Sequence, residues 1–297
     1  MCIRDSAPAA RRVRRARLAA AVSPRGWRRR LSDLLVLVVL AVWTVIGPLS
    51  TDDGFTEGIV RNAAGNGAYG NYYRWENASE APFTLVLRLL QPLVDLGANP
   101  LALRLPSLAC GLLVWLLVSR VAMPVLLPRH ARLPWVRALT AVTLLVWWMP
   151  FDLGVRPEPF AAVSVTAVLA FGLRAAYRPG RHGHLMLGLT ALATGIGLAT
   201  TSSAVAAAGP LLLLLPRLWR LARGGLAGRA GLLRALATTV ATAAIAAVGL
   251  VVMFSGQSWY TVSRATELHT FYGPNFPWFQ ENTCLLYTSD AADERSS

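Results

Sequence analysis

Two adjacent carboxylates, Asp52 and Asp53, stand in STDDGFTEGIVRN, directly after the first strongly apolar run. A chain would leave a bilayer there, and charge at such a place is costly unless it is solvated, paired or used. Ser50 or Thr51 followed by acids fits a helix N-terminus, where one Asp serves as a cap. The second carboxylate needs another reason, and its location points to catalysis. GNGAYGNYYRWENASEAPF supplies Tyr69, Tyr72, Tyr73 and Trp75, either an aromatic belt at headgroup level or a platform for a sugar face. WWMPFDLGVRPEPF (147–160) holds Arg156 and Glu158 in a turn stiffened by Pro157 and Pro159. A guanidinium at that depth suits a phosphate, with Glu158 holding it; a surface ion pair or an anchor would use the same residues. ATTSSA (199–204) reads as a helix-capping or helix-packing turn. The aromatic, Pro-rich stretch 269–283 reads as an ordered outer loop.

These residues need a membrane scaffold to hold them. The chain has 297 residues, 55% hydrophobic and only 15% charged. Its apolar stretches approach a bilayer crossing in length, which excludes an ordinary soluble domain. Spans are expected at 33–50, 101–119, 136–151, 158–173, 185–201, 204–216 and 235–254, the shorter ones tilted or half-buried. The segment 84–97, with Arg88, Gln91, Pro92 and Asp95, is expected as an amphipathic interfacial helix.

All 29 basic residues are Arg. Ten precede the first span, four lie between the second span and the opening turn of the third (Arg137 included), three follow the fourth and five follow the sixth, so 22 of the 29 fall on alternate loops or at their edges. By the positive-inside rule those loops and the N-terminus are cytoplasmic. Asp52, Asp53, Glu57, Glu76, Glu80, Asp95, Asp152, Glu158, Glu267 and Glu281 fall on the opposite side, and among the acids between residues 7 and 283 Asp33 alone is left inside. The net charge of +14 is therefore a topology signal, with anionic lipids as partners and no nucleic acid. The three cysteines give no disulfide framework, and His182 and His184 read as a solvated loop. No cofactor is implied with certainty, although Asp52 and Asp53 could hold a divalent cation. MCIRDS (1–6) and CLLYTSDAADERSS (284–297) resemble translated sequencing-adapter read-through. The remainder divides into a basic segment, 7–32, and a membrane domain, 33–283, expected to be truncated.

TDDG, NYYRW followed by EAPF, RLPSLACGLLVW with SR at 119–120, the RPEP loop and WFQENT together resemble the actinobacterial cell-wall arabinosyltransferases of the Emb type, the targets of ethambutol. The resemblance covers about residues 31–283. It implies an all-α polytopic fold of the GT-C glycosyltransferase class with a periplasmic first loop. The donor it implies is decaprenyl-phosphoryl arabinofuranose, and the acceptor is arabinan of arabinogalactan or lipoarabinomannan. It also implies the plasma membrane, with the active face outward and pairing as a homodimer or with a paralogue. Asp152-Leu153 stands where the family often carries two asparagines, and residues 200–203 replace a turn that more often contains Pro-Thr-Gly.

The chemistry agrees with that expectation. A polyprenyl phosphate is a competent leaving group, so an inverting displacement needs one base for the acceptor hydroxyl and positive charge for the departing phosphate. Asp52 is the expected base, with Asp53 as its orienter or as a second contact to the acceptor. Arg156 with Glu158 is expected at the phosphate, and Tyr72, Tyr73 and Trp75 flank the sugar. A mannosyltransferase using a polyprenyl-phosphate sugar, or a non-enzymatic lipid carrier or transporter, are the rival readings. Transport tends to place ionisable groups mid-span, whereas these collect on outer loops.

Overall fold

A computed structural model describes residues 24–48, 51–66, 69–70, 84–97, 99–150, 154–178, 180–255 and 257–272. The described residues form ten helices: α1 (Pro24–Ile46), α2 (Thr51–Asn66), α3 (Leu85–Asp95), α4 (Pro100–Leu126), α5 (Pro134–Trp148), α6 (Glu158–Tyr177), α7 (Arg181–Thr200), α8 (Ser202–Arg223), α9 (Gly228–Phe254) and α10 (Trp259–Tyr272). Among them α4, α6, α7, α8 and α9 are long and apolar enough to cross a membrane. The apolar part of α1, Leu31–Ile46, and the 15-residue α5 are shorter than a perpendicular crossing. All seven expected spans thus correspond to helices, and 204–216 lengthens at both ends into α8.

Local sequence explains several boundaries. Pro134 opens α5 and Pro100 opens α4, positions where a missing N–H costs nothing. Asn99 caps α4, its Oδ1 accepting from Ala102 N at 2.9 Å. Thr201, extended between α7 and α8, caps the opening turn of α8 through Ser203 N, so ATTSSA works as a capping turn. The 84–97 segment is a helix of 11 residues, too short to span. Its apolar face, Val86, Leu87 and Leu90, packs with Ile59 and Val60 of α2.

Two larger clusters hold the bundle. Val36 and Leu40 of α1, Cys110, Val114 and Trp115 of α4, and Ala141, Leu145 and Trp148 of α5 form one. Ala122, Ala170, Leu173, Leu214, Leu218 and Leu221 join α4, α6 and α8 in another. Helices α7 and α9 approach backbone to backbone at Gly195 and Gly249, where a Cβ on either residue would overlap the other helix. Small residues permit such contact in lipid, where burial of apolar area does not drive helices together. Outward-facing residues are apolar, among them Val38, Val42 and Val45 on α1, Val142 and Val146 on α5, and Leu233, Val240 and Val251 on α9. A surface of that kind suits acyl chains and not water.

At the end where α1 enters, Asp33 collects three partners. Arg137 Nη2 donates at 2.9 Å, Trp115 Nε1 donates at 2.9 Å, and Arg120 forms a second ion pair. Arg137 is only 3% exposed, and its guanidinium also lies 5.5 Å from the Trp115 ring centroid. The one acid expected on the arginine-rich side is therefore taken up in joining α1, α4 and α5.

Candidate functional site

The opposite end of the bundle gathers the end of α1, the start of α2, the end of α5 and the start of α6. Thr51 begins α2, so Asp52 and Asp53 both lie in its first turn. Asp52 is described by its backbone position alone. Asp53 is buried, and its Oδ1 accepts a hydrogen bond from Val155 N at 3.1 Å. Residues 102 apart in sequence thereby join the DDG segment to the loop between α5 and α6. Gly154 shapes this contact: its φ is +152°, and a Cβ there would overlap the Asp53 carboxylate. The glycine in GVRPEP leaves the space that Asp53 fills.

Arg156 follows one residue later, half-buried, and Glu158 lies exposed in the first turn of α6. A carboxylate at a helix N-terminus complements the dipole, so Glu158 has a structural reason for its place. The structure therefore brings Asp53 and the loop that carries Arg156 to one wall. Tyr72, Tyr73, Trp75 and Asp152 lie outside the described residues, as do 1–23 and 273–297. Tyr69, the described ring of the aromatic segment, is half-buried against the α2–α3 cluster. Burial pushes its phenol above the ordinary tyrosine range; Arg88 opposes that shift and Asp95 adds to it. Tyr69 is thus a neutral packing group at physiological pH. Among the described residues, no three His, Cys, Asp or Glu come together as metal ligands.

Two arginines support this end through contacts that the sequence does not reveal. Arg104, buried at the start of α4, donates through Nη1 to Thr44 O and Gly47 O, each at 3.0 Å, and through Nη2 to Pro48 O at 3.2 Å. It closes the carboxyl end of α1, where a cation also meets the negative end of the helix dipole. Trp43 Nε1 donates to Met149 O at 2.9 Å and ties α1 to the end of α5. These bonds hold the short passage from α1 into the DDG helix. Arg88 of α3 donates through Nη1 to Ser255 Oγ at 3.1 Å and through Nη2 to Ser255 O, beyond the end of α9. Only the side-chain type was visible beforehand, because three carbonyls in a nonrepeating passage leave no periodic trace.

Replacing Arg104 with Ala leaves three carbonyls without their donor. The expected cost is about 3 kcal/mol, read as a lower thermal unfolding midpoint in detergent. Arg104→Lys should recover part of it, since the charge remains while the fork of donors is lost. Equal midpoints for wild type and Arg104→Ala would show that the α1 end is held by something else.

The family described as "Mycobacterial cell wall arabinan synthesis protein" matches residues 7–291. Among curated relatives, "Probable arabinosyltransferase B" of Mycobacterium avium is 33% identical over 281 residues, covering 89% of this chain and 24% of the relative. "Probable arabinosyltransferase A" of Mycolicibacterium smegmatis is 32% identical over 283 residues, covering 89% and 25%. Among solved structures, the cryo-EM structure of arabinosyltransferase EmbB from Mycobacterium smegmatis superposes with a TM-score of 0.70 at 30% identity, over 82% of this chain and 23% of that one. The chain therefore spans about a quarter of the length of these relatives.

Proposed function

The chain belongs to the mycobacterial cell wall arabinan synthesis protein family and has the all-helical, multi-pass membrane fold of a GT-C glycosyltransferase; from that premise we propose that it carries the acceptor-activating part of an arabinosyltransferase. The reaction moves arabinofuranose from decaprenyl-phosphoryl arabinose to a growing arabinan of the cell wall, at the outer face of the plasma membrane. The acceptor hydroxyl attacks the anomeric carbon, the bond to the phosphate oxygen breaks with inversion, and the hydroxyl proton passes to a carboxylate.

The observation that carries this reading is the contact between Asp53 and Val155 N. It commits one oxygen of Asp53 to a backbone amide, which is the work of a positioning residue. Asp52, its neighbour in the same first turn, is then the group for the proton. The same contact brings the loop that carries Arg156 against the acidic turn, which supports a role for its guanidinium in stabilising charge that develops on the leaving phosphate. The donor keeps its polyprenyl tail in lipid, so a wall at the end of the bundle is where its sugar phosphate would emerge.

The complete polypeptide in membranes should transfer arabinose from its polyprenyl-phosphate donor to an arabinan oligosaccharide. Offered polyprenyl-phosphate mannose instead, it should transfer at background rate. Equal transfer of mannose would replace this reading with that of a mannosyltransferase. The topology has its own test. A cysteine placed at Gly54, where a side chain would meet open space, should react with a membrane-impermeant maleimide in intact cells. Labelling only after the cells are opened would put the carboxylates in the cytoplasm and end the proposal.

Arg156→Ala should raise the KM for the lipid donor roughly tenfold, the usual worth of one charge-assisted hydrogen bond, with a smaller change for the acceptor. Steady-state kinetics with each substrate varied in turn would read this. An unchanged donor KM would remove Arg156 from the phosphate.

A further inference from the structure

The far end of the bundle, where α6 and α8 finish and α7 and α9 begin, holds a cavity of about 470 Å³. Arg217, Arg220, Arg234 and His184 line it, and among the described residues no Asp or Glu does. The Arg220 Nε donates to Pro216 O at 3.2 Å, and Arg217 stacks 4.7 Å from the Tyr177 ring centroid, contacts that orient a guanidinium without neutralising it. Arg234 lies against Gly224, where a Cβ would overlap the guanidinium. His184 Nδ1–H donates to Gly180 O at 2.9 Å, which turns its other nitrogen away from that bond. The acid that the charge pattern assigns to this side, Asp33, is already engaged by Arg120 and Arg137. Three cationic groups around one cavity form a site suited to an anion.

Depth indicates the source. Tyr177 is 50% exposed and Trp219 is 36% exposed at this end, and each is stacked by an arginine. Amphipathic rings of that kind sit at the level of lipid headgroups. Basic pockets between membrane helices on the cytoplasmic side take phosphorylated headgroups. We infer that this cavity binds the phosphate of an anionic phospholipid and so pins the α6–α9 group to the adjacent leaflet. Which leaflet that is rests on the charge-derived topology; the binding itself does not, and neither depends on sugar transfer.

Native mass spectrometry of the purified chain in detergent tests this. Added phosphatidylglycerol should be retained in preference to phosphatidylcholine. Arg220→Gln and Arg234→Gln should each weaken retention about fivefold, the usual worth of one basic residue at an anionic surface. Arg264→Gln, on α10 and away from the cavity, should leave it unchanged. Unaltered melting temperatures in the absence of lipid would show that the variants fold. Should a variant fail to fold, the wild type alone decides, through its preference for phosphatidylglycerol and its resistance to competition by inorganic phosphate. Equal retention of the two lipids, or equal retention by folded wild type and variants, overturns the inference. Displacement of the lipid by millimolar inorganic phosphate also overturns it, by identifying the cavity as a site for a soluble anion.

Discussion

Asp52→Asn in the complete polypeptide is expected to lower arabinosyl transfer by about 10²- to 10⁴-fold, the contribution of a positioned general base, while membrane insertion and donor binding persist. The amide keeps the size of the carboxylate and loses its ability to take a proton. Asp53 should respond differently. Its Oδ1 accepts from Val155 N, and an Asn at the same place still offers a carbonyl oxygen to that amide. Asp53→Asn should therefore retain measurable transfer, whereas Asp53→Leu, with no acceptor, should lose transfer together with stability. Initial rates with a lipid-linked arabinose donor, alongside melting midpoints, separate the two carboxylates. Full activity in Asp52→Asn, or a larger loss in Asp53→Asn than in Asp52→Asn, would exchange or remove the assigned roles.

Much of this arrangement is legible one segment at a time. Apolar runs bounded by arginine and proline mark the helices because lipid tolerates few charges and helix starts tolerate proline. The spans at 158–173 and 235–254 became α6 and α9 with their cores in the expected places. Asp52 and Asp53 were legible by position, at a helix start beyond an apolar run. What stayed hidden was pairing at long range. Arg104 could have been an interfacial anchor as readily as the clamp on Thr44 O, Gly47 O and Pro48 O, since nothing local marks which carbonyls lack partners. Arg137 looked like one more loop arginine and is instead buried against Asp33. The pocket arginines were counted for their sign, and only the packing of α8 against α9 shows that they converge. The aromatic triad of Tyr72, Tyr73 and Trp75 lies outside the described residues and stands as an expectation of the sequence.

Gly154 is the residue whose change should reach the reaction from the greatest sequence distance. Its φ of +152° favours glycine, and a Cβ would overlap the Asp53 carboxylate. Gly154→Val meets both obstacles at once. Backbone strain of this kind costs on the order of 1–3 kcal/mol, and the collision adds to it unless Asp53 moves. If Asp53 moves, the first turn of α2 moves with it and Asp52 loses its register with the acceptor. A displacement near 1 Å at a reacting group lowers rate by about 10²-fold, so transfer should fall by that order, in kcat more than in KM. The cause can be isolated by a double-mutant cycle. Asp53→Ala removes the group that the introduced valine side chain would strike, and the combined variant should be more stable than the two separate losses predict. Transfer should remain low in the combination, because removing the orienter does not restore the geometry of Asp52. Additive stability losses would show that Gly154 and Asp53 do not meet, and the wall joining the acidic turn to the Arg156 loop would have to be redrawn.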